Sequence, residues 1–134
     1  HTRNLSSIEI VKQYTDEAVV IGSSSELTQV ITNFVNNAVD AMNDEGKLWL
    51  ITKKSNDKCS ISVKDNGSGM DEATQKKIFD PFFTTKEPGK GTGLGLHVVR
   101  KIIEKHDAEL ELESNLGEGT TFTIIFPTAK NNSN

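Results

Sequence analysis

One strand and the loop that follows it carry the residues of this sequence best suited to bind a ligand. From Cys59 to Lys64, apolar and polar residues alternate, which is typical of a strand buried on one face. The alternation places Asp65 on the apolar face, where a carboxylate is costly unless it accepts hydrogen bonds. Gly67 and Gly69 follow, and glycine lets a backbone approach a ligand closely. The segment therefore predicts either a binding site or a plain turn that Asp65 caps.

A predicted helix carries a second group of polar side chains at helical spacing. Ser23 with Glu26 three residues later is a capping-box signature, and the helix should end near Met42. Its apolar residues form a face against the sheet: Leu27, Ile31, Phe34, Ala38 and Met42. Its polar stripe consists of Asn33, Asn36, Asn37 and Asp40. Since asparagine and aspartate are poor helix formers, the stripe indicates either a functional site or a plain solvated face.

A glycine-rich segment, Gly91-Thr92-Gly93-Leu94-Gly95, leads directly into a second long helix. Such segments can bind phosphate, because the open backbone amides and the helix dipole favour an anion. The sequence around it lacks the Gly-Lys-Ser/Thr of a Walker loop, and no strand precedes it as a dinucleotide fingerprint requires. The lysine strand and His-Arg-Asp loop of a protein kinase are also missing. The common nucleotide-binding folds are therefore excluded.

The other elements follow from periodicity and turn residues. Strands are predicted at residues 8–14, 18–21, 47–54, 59–65, 108–114 and 120–126. Asp71 should cap a short helix that ends near Phe79, before Pro81. Residues 80–90 have no usable periodicity and should form a long loop, a kind of segment that is usually functional.

The order of these elements predicts the architecture. In the second long helix Leu94, Val98 and Ile102 recur at a spacing of four, flanked by Val99, Ile103 and His106, which indicates an apolar face. Strands meet in hairpins and do not alternate with every helix. The sequence therefore predicts an α/β (α+β) two-layer sandwich, in which a mixed, mostly antiparallel five-stranded sheet is covered on one face by about three helices.

Composition limits the classes of function. The 134 residues suit one domain, and the net charge of −4 argues against general binding of nucleic acids or anionic membranes. Apolar runs are too short to span a bilayer, and the single cysteine excludes a disulfide framework and indicates a reducing, cytoplasmic environment. Three scattered histidines cannot form a zinc site. Residues 1–7 read as the end of an upstream segment, residues 8–127 as the domain, and residues 128–134 as a disordered tail.

Together the motifs resemble those of the ATP-binding catalytic domain of sensor histidine kinases, in the GHKL (Bergerat-fold) superfamily. The resemblance covers Ile8 to Pro127. It rests on four segments that are similar to the N box, the first glycine box, the F box and the second glycine box: Asn33–Ala38, Asp65–Gly69, Phe79–Phe83 and Gly91–Leu96. It implies the Bergerat ATPase fold and an enzyme that binds Mg-ATP and transfers the γ-phosphoryl group to a histidine of a separate domain.

The resemblance also implies a role for each site residue. Asp65 would accept a hydrogen bond from the exocyclic amine of adenine, and Thr120 or Thr121 would border the adenine pocket. Asn37 would ligate magnesium, and Asn33 would line the phosphate end of the site as the second catalytic residue. The other residues expected to contact the nucleotide are Asp40, Gly67, Gly69, Lys86, Lys90, Gly91, Thr92, Gly93, Leu94 and Gly95. Residues 80–90 would form a lid over ATP.

Two positions depart from the commonest family pattern. Many relatives carry a lysine and a tyrosine where this sequence has Asp40 and Ala41. The Asp-Ala variant is similar to the nitrogen-regulation branch of the family, and it leaves the stacking and charge-neutralising groups unassigned.

The expected partners follow from what the sequence lacks. The resemblance implies a phosphoacceptor histidine on a separate, upstream dimerisation domain. His97 and His106 are interpreted as structural or exposed, so this chain should lack that domain and be monomeric. A response regulator would be reached only indirectly. Gyrase-type ATPases use a glutamate to activate water at the place of Asn33, which cannot act as a base, and this disfavours an ATP-hydrolysing machine. A nucleotide-binding regulatory or docking module without phosphotransfer remains the alternative.

Overall fold

The computed structural model describes residues 7–14, 23–43, 45–55, 57–80 and 95–127. Within these ranges the chain forms three helices: α1 (Ser24–Ala41), α2 (Glu72–Lys77) and α3 (Leu96–Lys105). It also forms five strands: β1 (Ile8–Gln13), β2 (Gly46–Ser55), β3 (Lys58–Asp65), β4 (Glu109–Asn115) and β5 (Gly119–Pro127). The predicted strand at 18–21 and the predicted tail at 128–134 lie outside the described residues.

The strands form one mixed sheet in the order β1-β2-β3-β5-β4. β1 runs parallel to β2, and the three other pairs are antiparallel. Both predicted hairpins, β2–β3 and β4–β5, are confirmed. α1 packs against β3 and β5, and α3 packs against α1 and β4, so the helices cover one face of the sheet. This is the two-layer architecture that the sequence predicts. No helix in the described ranges is long and apolar enough to cross a membrane.

The core lies between α1, α3 and the inner face of the sheet. Phe34 of α1 stacks on Phe122 of β5, with ring centroids 4.5 Å apart and planes 7° from parallel. The predicted apolar face of α1 is too narrow, because Val30 and Val39 are buried as well. α1 is covered on two sides, by the sheet and by α3, and therefore buries a wider stripe than a helix on a sheet surface.

The buried face of α3 agrees with the prediction except at Val98. Val99, Ile102 and Ile103 are buried, whereas Val98 is only half-buried. Leu94 lies outside the described residues. The buried face is formed by Ile102 and by the predicted flanking residues Val99 and Ile103, because these side chains enter the core that α3 shares with α1.

The N-terminus of α1 is held by α3. Ser23 Oγ accepts the N–H of Glu26 at 3.2 Å, which confirms one half of the predicted capping box. The other half is wrong: the Ser23 N–H donates to His106 Nε2 at 2.9 Å, and Glu26 instead pairs with Lys105, whose Nζ is 3.1 Å from its carboxylate. Since His106 Nε2 accepts, its Nδ1 carries the hydrogen and donates to the Ile102 carbonyl at 2.8 Å. His106 therefore has a structural role, which is one of the two possibilities, structural or exposed, that the sequence predicted.

Candidate functional site

Asp65 ends β3 at the edge of the core. The strand alternates as predicted, with Cys59 and Val63 buried and Lys64 exposed, and Asp65 is only 5% exposed. Its carboxylate accepts the Gly67 N–H at 2.8 Å and a backbone hydrogen bond from Thr120, its register partner in β5. Burial raises the pKa of the Asp65 carboxyl above its usual value, and these two hydrogen bonds oppose the rise. Asp65 therefore does cap its turn, but it is also a desolvated acceptor.

The raised pKa of Asp65 predicts how the stability of the ligand-free domain depends on pH. Because the folded-state pKa exceeds the unfolded-state value, the folded domain binds more protons between the two values. The stabilising contribution is thus complete below the ordinary carboxyl pKa and is lost as the pH rises through the folded-state value. Urea denaturation at a series of pH values should show this loss in the wild type relative to Asp65→Asn, in which position 65 does not titrate. A difference that grew in favour of the wild type with rising pH would contradict it.

The loop after β3 is clamped between α1 and the β4–β5 turn. The Ser68 N–H donates to the Ala41 carbonyl of α1 at 3.0 Å. The Ser68 carbonyl accepts the Gly117 N–H from the β4–β5 turn at 2.8 Å. On the other side, Asn66 Oδ1 accepts the Lys47 N–H at the start of β2 at 2.9 Å. These bonds fix the loop beside Asp65 to three neighbouring elements.

Two glycines of this loop are required by its packing on the rest of the chain. A side chain at Gly67 would begin 2.6 Å from the Ala41 carbonyl oxygen. Gly69 has a φ of +71°, and a side chain there would collide with the backbone of Asn115. The sequence attributed both glycines to the approach of a ligand. The structure gives a different physical reason for them, and their predicted contact with the nucleotide stays a prediction.

Substituting Gly69 should destabilise the fold much more than substituting a second glycine with similar backbone geometry. We expect Gly69→Ala to lower the free energy of unfolding by about 3 kcal/mol, because positive φ and a backbone collision add together. Gly117→Ala is the matched control: its φ is +79°, but nothing lies within 4 Å of the added methyl group. It should cost only about 1 kcal/mol. Urea denaturation measures both, and equal losses would mean that the contact with Asn115 is unimportant.

The polar stripe of α1 is only partly solvated. Asn33 is 3% exposed, and Asn36, Asn37 and Asp40 are half-buried. Asn37 Nδ2 donates to Asn33 Oδ1 at 3.0 Å. A plain solvated face does not bury an amide side chain, so that interpretation is wrong for Asn33.

The hydrogen bond between the two asparagines has a consequence for metal binding. It directs the amide nitrogen of Asn37 towards Asn33, so the Asn37 oxygen faces away from Asn33. An amide oxygen is a hard donor, and Mg²⁺ takes few protein ligands and completes its shell with water and substrate phosphates. The residue and its orientation therefore fit a magnesium ion that is held together with a nucleotide.

Thr120 lies beside Asp65 and is 6% exposed. Its hydroxyl is 2.7 Å from the hydroxyl of Ser114, its register partner in β4. Ser114 Oγ also accepts the Met70 N–H at 2.8 Å and donates to the Gly119 carbonyl at 3.1 Å. The sequence reasoning missed Ser114, although a signal exists: Leu110, Leu112 and Ser114 alternate with exposed glutamates, which places a polar residue on an apolar face.

The phosphate end of the predicted site is described only in part. Gly95 precedes α3 with an extended backbone and no side-chain cap. The first amides of α3 therefore have the orientation that suits an anion. Phe79 of the predicted F box is half-buried, and the Arg100 guanidinium lies 5.2 Å from its ring centroid. The remaining predicted residues lie outside the described ranges: Lys86, Lys90, Gly91, Thr92, Gly93 and Leu94.

The described part of the predicted site lies where the end of β3 and the start of β5 meet α1, whose Ala41 carbonyl accepts the Ser68 N–H. The sheet is mixed and covered by helices on one face, the buried Asp65 ends β3, and α1 packed beside it carries the pair Asn33 and Asn37. This combination is typical of one class of protein, the Bergerat-type nucleotide-binding domain.

The chain belongs to the family of histidine kinase-, DNA gyrase B- and HSP90-like ATPases, whose model matches residues 22–130, and within it to the ATP-binding catalytic domains of sensor histidine kinases. It is 41% identical over 125 residues to sporulation kinase C of Bacillus subtilis (strain 168), covering 92% of this chain and 29% of that kinase. It is 42% identical over 122 residues to the signal transduction histidine-protein kinase AtoS of Escherichia coli (strain K12), covering 90% of this chain and 20% of AtoS.

Solved structures agree with this assignment. The catalytic domain of histidine kinase ThkA matches with a TM-score of 0.79 and 32% identity, covering 90% of this chain and 79% of that chain. ThkA in complex with the response regulator protein TrrA matches with a TM-score of 0.74 and 31% identity, covering 91% of this chain and 34% of that chain. The chain spans less than a third of the length of the curated relatives named above, at 29% and 20%. The similarity to the nitrogen-regulation branch stays a prediction.

Proposed function

We propose that this chain binds Mg-ATP and donates the γ-phosphoryl group to a histidine on a separate dimerisation and phosphoacceptor domain. The observation that carries the proposal is the buried Asp65 carboxylate, an acceptor at 5% exposure that also has Thr120 as its register partner. An acceptor held in a desolvated position discriminates strongly against ligands that cannot donate to it. The exocyclic amine of adenine is such a donor.

In this proposal, Asn33 and Asn37 of α1 form part of the phosphate end of the site. Asn37 would hold magnesium through its amide oxygen, with Asp40 one turn later in the same stripe. When bound, the ion would neutralise charge on the phosphates during transfer. Asn33 carries an amide and cannot take a proton from water, which supports transfer to a partner over hydrolysis. The catalytic contribution of the chain is therefore the positioning of ATP and the stabilisation of charge.

Several further assignments belong to the same proposal. Lys86, Lys90 and the glycine-rich residues 91–95 would contact the phosphates, with Gly67 and Gly69 beside the adenine. The domain would extend over residues 8–127 and act as a monomeric unit of a kinase whose catalytic part lies in the cytoplasm. The complex of ThkA with TrrA supports a response regulator as the eventual recipient of the phosphoryl group.

The experiment that tests the proposal has two stages. Calorimetric titration of ADP and ATP, with and without magnesium, should give binding that magnesium strengthens. Addition of the separately produced phosphoacceptor domain and γ-labelled ATP should then label that domain. Absence of binding at millimolar nucleotide would overturn the proposal. Binding without any transfer would support the alternative, a nucleotide-binding regulatory module.

A further inference from the structure

The Ser114 hydroxyl has three hydrogen-bond contacts, with the Met70 N–H, the Gly119 carbonyl and the Thr120 hydroxyl. Only one placement of the Ser114 and Thr120 hydroxyl hydrogens lets all three bonds form. A serine hydroxyl has one hydrogen and two lone pairs. The Met70 N–H can only donate to Ser114, and the Gly119 carbonyl can only accept from it. The single hydrogen of Ser114 is then used on Gly119, so the contact of 2.7 Å with Thr120 is a hydrogen bond only if the Thr120 hydroxyl donates. All three bonds form together in this arrangement alone.

This placement determines what Thr120 offers to a ligand. With its hydrogen committed to Ser114, the Thr120 oxygen has only lone pairs left for the site. Asp65 faces Thr120 across the β3–β5 pair and is also an acceptor. This end of the site therefore presents two acceptors and attracts a donor, while a carbonyl oxygen in the same place would meet lone pairs.

We infer that Ser114 is a positioning residue that locks Thr120 as an acceptor and thereby makes the site prefer 6-aminopurines over 6-oxopurines. The inference rests on the proposed function, since it assigns the purine to this end of the site. Ser114 does not touch the ligand and acts through Thr120. Without Ser114, the Thr120 hydroxyl can rotate and donate to a carbonyl at the 6 position of the purine.

The ratio of ADP to IDP affinity tests the inference. We expect Ser114→Ala to reduce the preference for ADP over IDP by about three- to tenfold, the effect of one hydrogen bond. Ser114→Thr keeps a hydroxyl and should retain the preference. Ser62→Ala is the matched control, because Ser62 Oγ and Thr123 Oγ1 form the same kind of cross-strand pair, 2.8 Å apart, on the outer face of the sheet. It should leave the ratio unchanged.

A purely structural role for Ser114 would give a different result. Loss of the Ser114 hydroxyl leaves the Met70 N–H without this partner and will lower the stability of the domain. A smaller folded fraction lowers the apparent affinity for ADP and for IDP by the same factor, so it cancels in their ratio. If the wild type binds ADP and Ser114→Ala leaves the ratio of ADP to IDP affinity unchanged, the inference is overturned but the proposed function stands. Failure of the wild type to bind ADP would overturn the proposed function and the inference with it.

Discussion

Asp65→Asn should weaken ADP binding by about 100-fold or more, while the free energy of unfolding stays the same or rises at neutral pH. Loss of affinity is expected because the amide presents a hydrogen to a site built around an acceptor, which leaves the amine of adenine without its partner. Stability is expected to persist because a neutral amide avoids the desolvation that raises the pKa of the Asp65 carboxyl. Calorimetry with ADP and urea denaturation measure the two quantities.

A second aspartate is the matched control for this variant. Asp71 caps α2, accepting the Thr74 N–H at 2.8 Å. Hydrogen bonds from the Thr74 side chain and from its N–H lower the pKa of the Asp71 carboxyl, opposite to Asp65. Asparagine is as good a cap as aspartate, so Asp71→Asn should change neither stability nor ADP affinity appreciably. If Asp65→Asn bound ADP as well as Asp71→Asn does, the adenine site would have to lie elsewhere on the domain.

Asn37→Ala should remove most of the gain in ADP affinity that magnesium provides, and reduce phosphoryl transfer to the phosphoacceptor domain by about 100-fold or more. The reason is that the alanine lacks the oxygen that would hold the ion, while Asn33 stays buried and loses only the hydrogen bond from position 37. Titration of ADP with and without magnesium gives the first quantity, and labelling of the partner domain from γ-labelled ATP gives the second.

Asn36→Ala separates this effect from changes in helix stability. Asn36 lies next to Asn37 in α1 and is also half-buried, and the two substitutions raise helix propensity equally. Its ADP titrations should retain the magnesium-dependent gain. The assignment of Asn37 fails if both variants respond to magnesium like the wild type, or if both lose the response to the same extent.

Sequence periodicity predicted the described helices and strands and the burial of Asp65, because these depend on local spacing. Alternation along β3 was enough to bury Asp65, and helical spacing was enough to bring Asn33 and Asn37 one turn apart. The capping box was half wrong because the second partner of Ser23 is His106, which is 83 residues away. Local sequence patterns also do not predict the partners of Ser114, because Met70 lies 44 residues earlier and Thr120 lies across a hairpin.

The two glycines show the same limit from another direction. The sequence attributed them to the approach of a ligand, whereas the structure shows contacts with Ala41 and Asn115 that only the tertiary fold creates. The width of the buried stripe on α1 likewise depends on packing against α3, which the sequence of α1 does not predict.

The clamp on the loop after β3 consists of main-chain atoms alone at Ser68: its N–H reaches Ala41, and its carbonyl reaches Gly117. Every amino acid except proline supplies that same donor and acceptor. Position 68 can therefore exchange serine for other residues over generations without loss of this clamp, whereas Asn66, Gly67 and Gly69 beside it are restricted to their residue types by a side-chain hydrogen bond and by close backbone packing.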